Sequence, residues 1–152
     1  MTRSSIRAAV VAGKVEIIRR MLRGIATLPL SNQSDFLADP RMVAAGESFL
    51  RRALEALFDL GRHVLAKGFG IAASEYEAVV PALVQQGIIG PQIAQRMVEM
   101  AGYRNRLVHF YDEVTPEELH EILTTHLGDL EQVVAAIQTW IAQRPELLDS
   151  SL

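Results

Sequence analysis

The chain has 152 residues, 49% of them apolar and 22% charged, a balance that fits one folded globular domain and excludes a disordered or fibrous chain. No apolar run reaches the roughly 18 residues that cross a bilayer, and the first residues lack the order of a signal peptide, so a cytoplasmic protein with no membrane contact is expected. With no cysteine there is no disulfide, thiolate nucleophile or zinc-thiolate site, and a net charge of -3 argues against a general polyanion binder. That charge is uneven: residues 1–67 carry eleven Lys or Arg against six Asp or Glu, whereas residues 68–152 carry four against twelve.

Ile6, Val10, Val11, Ile17, Ile18, Met21, Leu22 and Ile25 recur at three- and four-residue steps, which predicts a first helix of about twenty residues. Pro29 and the polar "SNQSD" break it. From Pro40 the same spacing resumes through Phe49, Leu50, Ala53, Leu54, Leu57, Phe58, Val64 and Leu65 and stops at "KGFG". Ser74 followed by Glu77 has the pattern of a capping box, so a short helix through Val79, Val80, Leu83 and Val84 should end at Gly87. After "IIGP" a helix opens on Pro91, where the missing amide hydrogen costs nothing, and runs through Ile93, Met97, Met100 and Ala101. Thr115, Pro116 and Glu118 make a second capping box; from there Leu119, Ile122, Leu123, Leu127, Leu130, Val133, Val134, Ile137 and Ile141 predict one long helix to about Gln143. The last eight or so residues read as a flexible tail. With no alternating strand pattern, the expectation is a single all-α domain over residues 1–152, an antiparallel bundle of four to five helices.

The segment "AGYRNRLVHFYDEV", residues 101–114, interrupts this apolar pattern. On a helix Arg104 and Tyr111 lie about 20° apart and continue the stripe of Met97, Met100 and Ala101, so a fixed charge sits where an apolar side chain is expected. Such a charge needs an acid, a bound anion or an interface. Asn105 and His109 share a second face, about 100° to 140° away, so one helix alone does not aim Arg104 and His109 at the same atom. They converge if the helix loosens near His109 or if a two-fold dimer joins two copies. The residue types suit metal-free cleavage of a phosphodiester. Histidine exchanges protons near neutral pH, arginine offers a fork to phosphate oxygens, and asparagine orients either group. The same residues also admit a purely structural reading, with Arg104 on an inward acid, Asn105 on a backbone group, His109 ending the helix and Tyr111 packed in the core.

"YRNRLVHFY" places R-N-x-x-x-H-x-Y at Arg104, Asn105, His109 and Tyr111, and this resembles the signature of the HEPN superfamily in its HepT-like branch. The likeness extends from about residue 40 to 125, through "DLGRHVLAKGFGIAASEYEAVVPALVQQGII" before the motif and "DEVTPEELHEIL" after it. It implies a two-fold homodimer whose motif helices meet, and a metal-independent endoribonuclease that is the toxin of a toxin-antitoxin pair. Arg104 would then hold the scissile phosphate, Asn105 would orient, and His109 would act as general acid or base, with no cofactor. The implied partner is a small, MntA-like nucleotidyltransferase antitoxin able to transfer AMP to Tyr111, where added charge and bulk would exclude RNA. The alternative within the same resemblance is a non-catalytic module that binds a nucleotide or a partner protein.

Arg51, Arg52 and Arg62 on the second long helix, with Arg106 in the motif, are the candidate RNA-binding cations, although a solvated helix face explains the first three equally well. The acidic run Asp112, Glu113, Glu117, Glu118 and Glu121 would repel RNA unless it points away. His63 follows Asp59 at helical spacing without an evident third ligand, so a hydrogen bond is favoured over a metal pair. His120 and His126 differ by about 120° round a helix and are no simple chelating pair.

Overall fold

A computed structural model describes residues 5–109 and 114–151. Helix α1 (Ala8–Ala26) buries Val15, Ile18, Met21 and Ile25, the stripe expected from the spacing. Ile6, placed in that helix by its periodicity, instead forms with Arg7 a two-residue strand, β1 (Ile6–Arg7). The polar break after α1 holds a short helix that composition alone conceals, α2 (Gln33–Ala38): Asn32 caps it by accepting from the Ser34 and Asp35 amides, and Phe36 anchors it in the core.

Helix α3 (Pro40–Phe69) is the axis of the fold and packs against every other helix. Asp39 caps its start by accepting from the Arg41 amide at 3.0 Å, and Pro40 occupies the first position. Gly70 ends it at φ 67°, where the Ile71 amide reaches back to the Leu65 carbonyl; a side chain there would be strained. Leu50, Leu54, Leu57, Phe58, Leu60, Val64 and Leu65 of α3 form the centre of the core.

Helices α4 (Tyr76–Gln85) and α5 (Pro91–Val108) follow at the expected places. The start of α4 differs from the capping-box expectation. Its cap is Glu75, without a side-chain cap bond; the carboxylate of Glu77 accepts from Asn105 instead, and the Ser74 carbonyl accepts from Arg62.

The expected final helix is two helices, α6 (Pro116–Thr125) and α7 (Leu127–Ala142), separated at His126. The hydroxyls of Thr124 and Thr125 return to the His120 and Glu121 carbonyls at 2.8 and 2.6 Å, and Gly128 follows; such back-bonding competes with helix continuation. The apolar repeat passes over the break without registering it. Thr115 caps α6 as predicted, accepting from the Glu118 amide at 3.1 Å. The C-terminal residues, expected as a tail, fold back through a 3-10 turn (Pro145–Leu147) into β2 (Leu148–Asp149), which pairs in parallel with β1, Ile6 opposite Leu148 and Arg7 opposite Asp149. The architecture is all-α, with seven helices and one two-residue ladder among the described residues.

Candidate functional site

The polar motif residues occupy the last turns of α5, and the backbone turns extended at His109, so the helix ends where the motif histidine stands. Tyr111 lies outside the described residues, as do Phe110, Asp112 and Glu113. Three consecutive residues, 104–106, each meet an acid from a different helix. Arg104 Nε lies 3.7 Å from Glu55 of α3, Asn105 donates to Glu77 of α4 at 2.6 Å, and Arg106 forks onto both oxygens of Glu118 of α6 at 2.7 Å. Hydrogen bonds from the Arg106 guanidinium hold the Glu118 carboxyl below its ordinary range. The inward acid anticipated for Arg104 is therefore Glu55, and of the three acids after the motif that α6 carries, Glu117, Glu118 and Glu121, it is Glu118 that points toward α5 rather than away.

These residues line two clefts. One, of about 540 Å³, is bounded by Glu47, Arg51, Arg106, Leu107, Val108, His109, Val114 and Pro116. The other, of about 360 Å³, is bounded by Arg62, Ser74, Glu75, Tyr76, Glu77, Arg104 and Asn105. Arg104 and His109 thus lie in different clefts of one protomer, as the helical angle between them requires. Glu55, which lines neither cleft, pairs with one residue of each: its Oε1 is 3.2 Å from Arg51 and 3.7 Å from Arg104.

Of the candidate cations, Arg51 and Arg106 share the His109 cleft and Arg62 shares the Arg104 cleft, while Arg52 is exposed and lines neither. The guanidinium carbons of Arg104 and Arg62 sit 4.3 and 4.5 Å from the centre of the Tyr76 ring, which also packs against Phe58. Sequence reasoning missed Tyr76 and misread Glu77 as a helix cap; both act across about thirty residues of chain, where local spacing carries no signal.

The other histidines are occupied structurally. His63 Nε2 accepts from the Arg7 amide at 3.0 Å, while Asp59 pairs with Lys14 and Arg62, so the two form no metal pair. His120 Nε2 meets the Leu30 carbonyl at 2.8 Å, and His126 lies 3.5 Å from Asp129. No helix among the described residues is long and apolar enough to cross a membrane.

A family model described as "Ribonuclease HepT-like" matches residues 15–137. A tRNA nuclease HepT of Aphanizomenon flos-aquae (strain 2012/KM1/D3) is 24% identical over 139 residues, covering 91% of this chain and 94% of that protein. An mRNA nuclease HepT of Shewanella oneidensis is 25% identical over 130 residues, with 85% and 96% covered. The tri-AMPylated Shewanella oneidensis HEPN toxin, solved in complex with MNT antitoxin, shares the fold at a TM-score of 0.78 and 23% identity over 86% of this chain and 97% of that one. The Bacillus subtilis cytosolic protein of unknown function YutE also shares it, at a TM-score of 0.74 and 15% identity over 93% of each chain. A match spanning most of the chain means that this protein belongs to the HepT-like ribonuclease family.

Proposed function

We propose that this protein is a metal-independent endoribonuclease, the toxin of a toxin-antitoxin pair, and that it works as a two-fold homodimer. The observation that carries the reading is the cleft in which His109 stands with Arg51 and Arg106, in a chain of this family. The imidazole takes the proton from a ribose 2'-hydroxyl as its oxygen attacks phosphorus, and the bond to the 5'-oxygen breaks as that oxygen receives a proton. The arginines stabilise the charge that gathers on the phosphate oxygens. Arg104 of one copy serves the His109 cleft of the other, with Asn105 orienting, which removes the angular conflict within one protomer. A nucleotidyltransferase antitoxin restrains the toxin by adding AMP to Tyr111, placing negative charge beside the arginines.

The test is cleavage of single-stranded RNA in the presence of a chelator. His109→Ala should lower the rate by about 100-fold or more, the range for loss of a general acid or base, while the melting temperature holds. Undiminished cleavage by this variant would remove His109 from the chemistry. A second reading is favoured by the acids that already meet residues 104–106: a non-catalytic module that holds a nucleotide or partner protein. It requires that the wild type leave RNA intact yet bind its ligand through Arg104. Peptide mass spectrometry after co-expression with the antitoxin examines Tyr111 separately, by a gain of one AMP.

A further inference from the structure

We infer that the cleft bounded by Arg62, Tyr76 and Arg104 continues the catalytic site, with Arg62 as the cation that holds the phosphate next to the scissile one on a single RNA strand. The inference rests on the ribonuclease reading above. Two guanidiniums share one aromatic ring, at 4.5 and 4.3 Å, and the ring's negative face offsets their mutual repulsion while fixing their positions. Each has an acid nearby, Asp59 for Arg62 and Glu55 for Arg104, but at 3.6 and 3.7 Å, beyond the 2.7–2.9 Å of a charge-assisted hydrogen bond. Both Nε atoms are buried without a hydrogen-bond partner, so the terminal nitrogens are the groups a ligand can reach. Arg62 Nη2 donates to the Ser74 carbonyl and Arg104 Nη1 only weakly to Asn105 at 3.4 Å. Arg104 Nη2 makes no hydrogen bond among the described residues.

Of the two acids on the rim, Glu77 is engaged by Asn105 at 2.6 Å, and Glu75 is exposed. These carboxylates oppose loose anion binding and favour a ligand that offers each guanidinium its own phosphate, as neighbouring nucleotides of one strand do. Preorganised cations lose little side-chain entropy on binding it. The position supports the same class of ligand. In the dimer proposed above Arg104 serves the His109 cleft of the other copy, so a strand whose scissile phosphate rests on Arg104 passes Arg62 next, the two guanidiniums being held on one ring.

The experiment is a salt titration of binding to a 2'-O-methyl RNA oligonucleotide, which has no free 2'-hydroxyl and so separates binding from cleavage. Each phosphate contact on a single strand contributes about 0.7 to the slope of log K against log salt. Arg62→Gln should therefore reduce the slope by about 0.7 and weaken binding by about tenfold near 0.1 M salt, the loss of one charge-assisted contact. Arg20→Gln, on the exposed side of α1, should change neither. Should Arg62→Gln fail to fold, Arg62→Lys carries the test: it keeps the charge and loses the planar fork, so the slope should hold while affinity falls about threefold. Wild-type binding that neither Arg62 variant alters overturns the subsite and leaves the ribonuclease reading standing. A wild type that does not bind the strand overturns both.

Discussion

Arg104, Asn105 and Arg106 illustrate how a side chain with a chemical role is held before its substrate arrives. Each hydrogen-bonding or charged group meets a carboxylate supplied from another helix, and the two glutamates of the expected capping boxes, Glu77 and Glu118, are the ones diverted to Asn105 and Arg106. Only the threonine half of the second box forms. The Arg106–Glu118 pair is partly exposed, so screening limits it, and Glu118→Gln should cost less than about 1 kcal/mol at neutral pH. Because the Glu118 carboxyl is lowered in the folded protein, its contribution is present above the ordinary carboxylate pKa and is lost as pH falls through the folded value. Urea melts at pH 7 and pH 3 should thus show a smaller acid loss in Glu118→Gln than in the wild type. His63 acts in the same direction at higher pH. Burial first, and then the charges of Lys67, Arg7 and Lys14, lower its pKa and keep the ring neutral as an acceptor for the Arg7 amide. The unfolded chain then binds more protons below the ordinary value of about 6.5, so stability falls as pH drops through that point. Thermal melts at pH 7.5 and 5.5 should show this loss in the wild type and less of it in His63→Gln, whose amide oxygen can still accept.

At the scale of elements, the pairing of α1 with α3 depends on a glycine that local sequence does not distinguish from its neighbour in the same helix. A methyl group at Gly24 would stand 2.7 Å from the ring of Phe49 on α3, whereas one at Gly13 would meet nothing within 4 Å. Gly13→Ala should therefore stabilise the protein by up to about 1 kcal/mol, the difference in helix propensity. Gly24→Ala gains the same propensity and adds overpacking of about 1–3 kcal/mol, so it should be neutral to destabilising. Opposite shifts of the urea midpoint in the two variants would establish the close approach; equal stabilisation would refute it. The break between α6 and α7 is likewise set by side chains rather than by apolar spacing, since the stripe from Leu119 to Ile141 passes through it and the threonine hydroxyls before it do not.

For the whole molecule, what was legible followed from periodicity and from residues that act within one turn. The stripes of α1 and α3, Pro40, Pro91 and Pro116 at helix starts, and Gly70 after α3 are all local signals, and they were enough for an all-α fold. The short helix α2 was hidden because its single core residue, Phe36, makes no stripe. The strands were hidden because two residues have no period, and the ladder joins positions more than 140 residues apart. At the site, the R-N-x-x-x-H-x-Y spacing singled out the end of α5 and anticipated that Arg104 and His109 diverge. Glu55, Glu77 and Tyr76 became visible only when α3 and α4 were laid against that helix, because the fields they exert are tertiary.

The ladder between Ile6–Arg7 and Leu148–Asp149 has a mechanical consequence. Its two strands run in the same direction, one near each end of the chain, so tension applied to the ends slides them past each other and loads both rungs together. The His63 contact fastens the same strand to α3, so β1 resists that tension at two places: against β2 and against the long central helix. Once both fail, α1 and the C-terminal turn lose their shared anchor, and the molecule should begin to open under force at this corner, away from the turns of α5 that carry the motif.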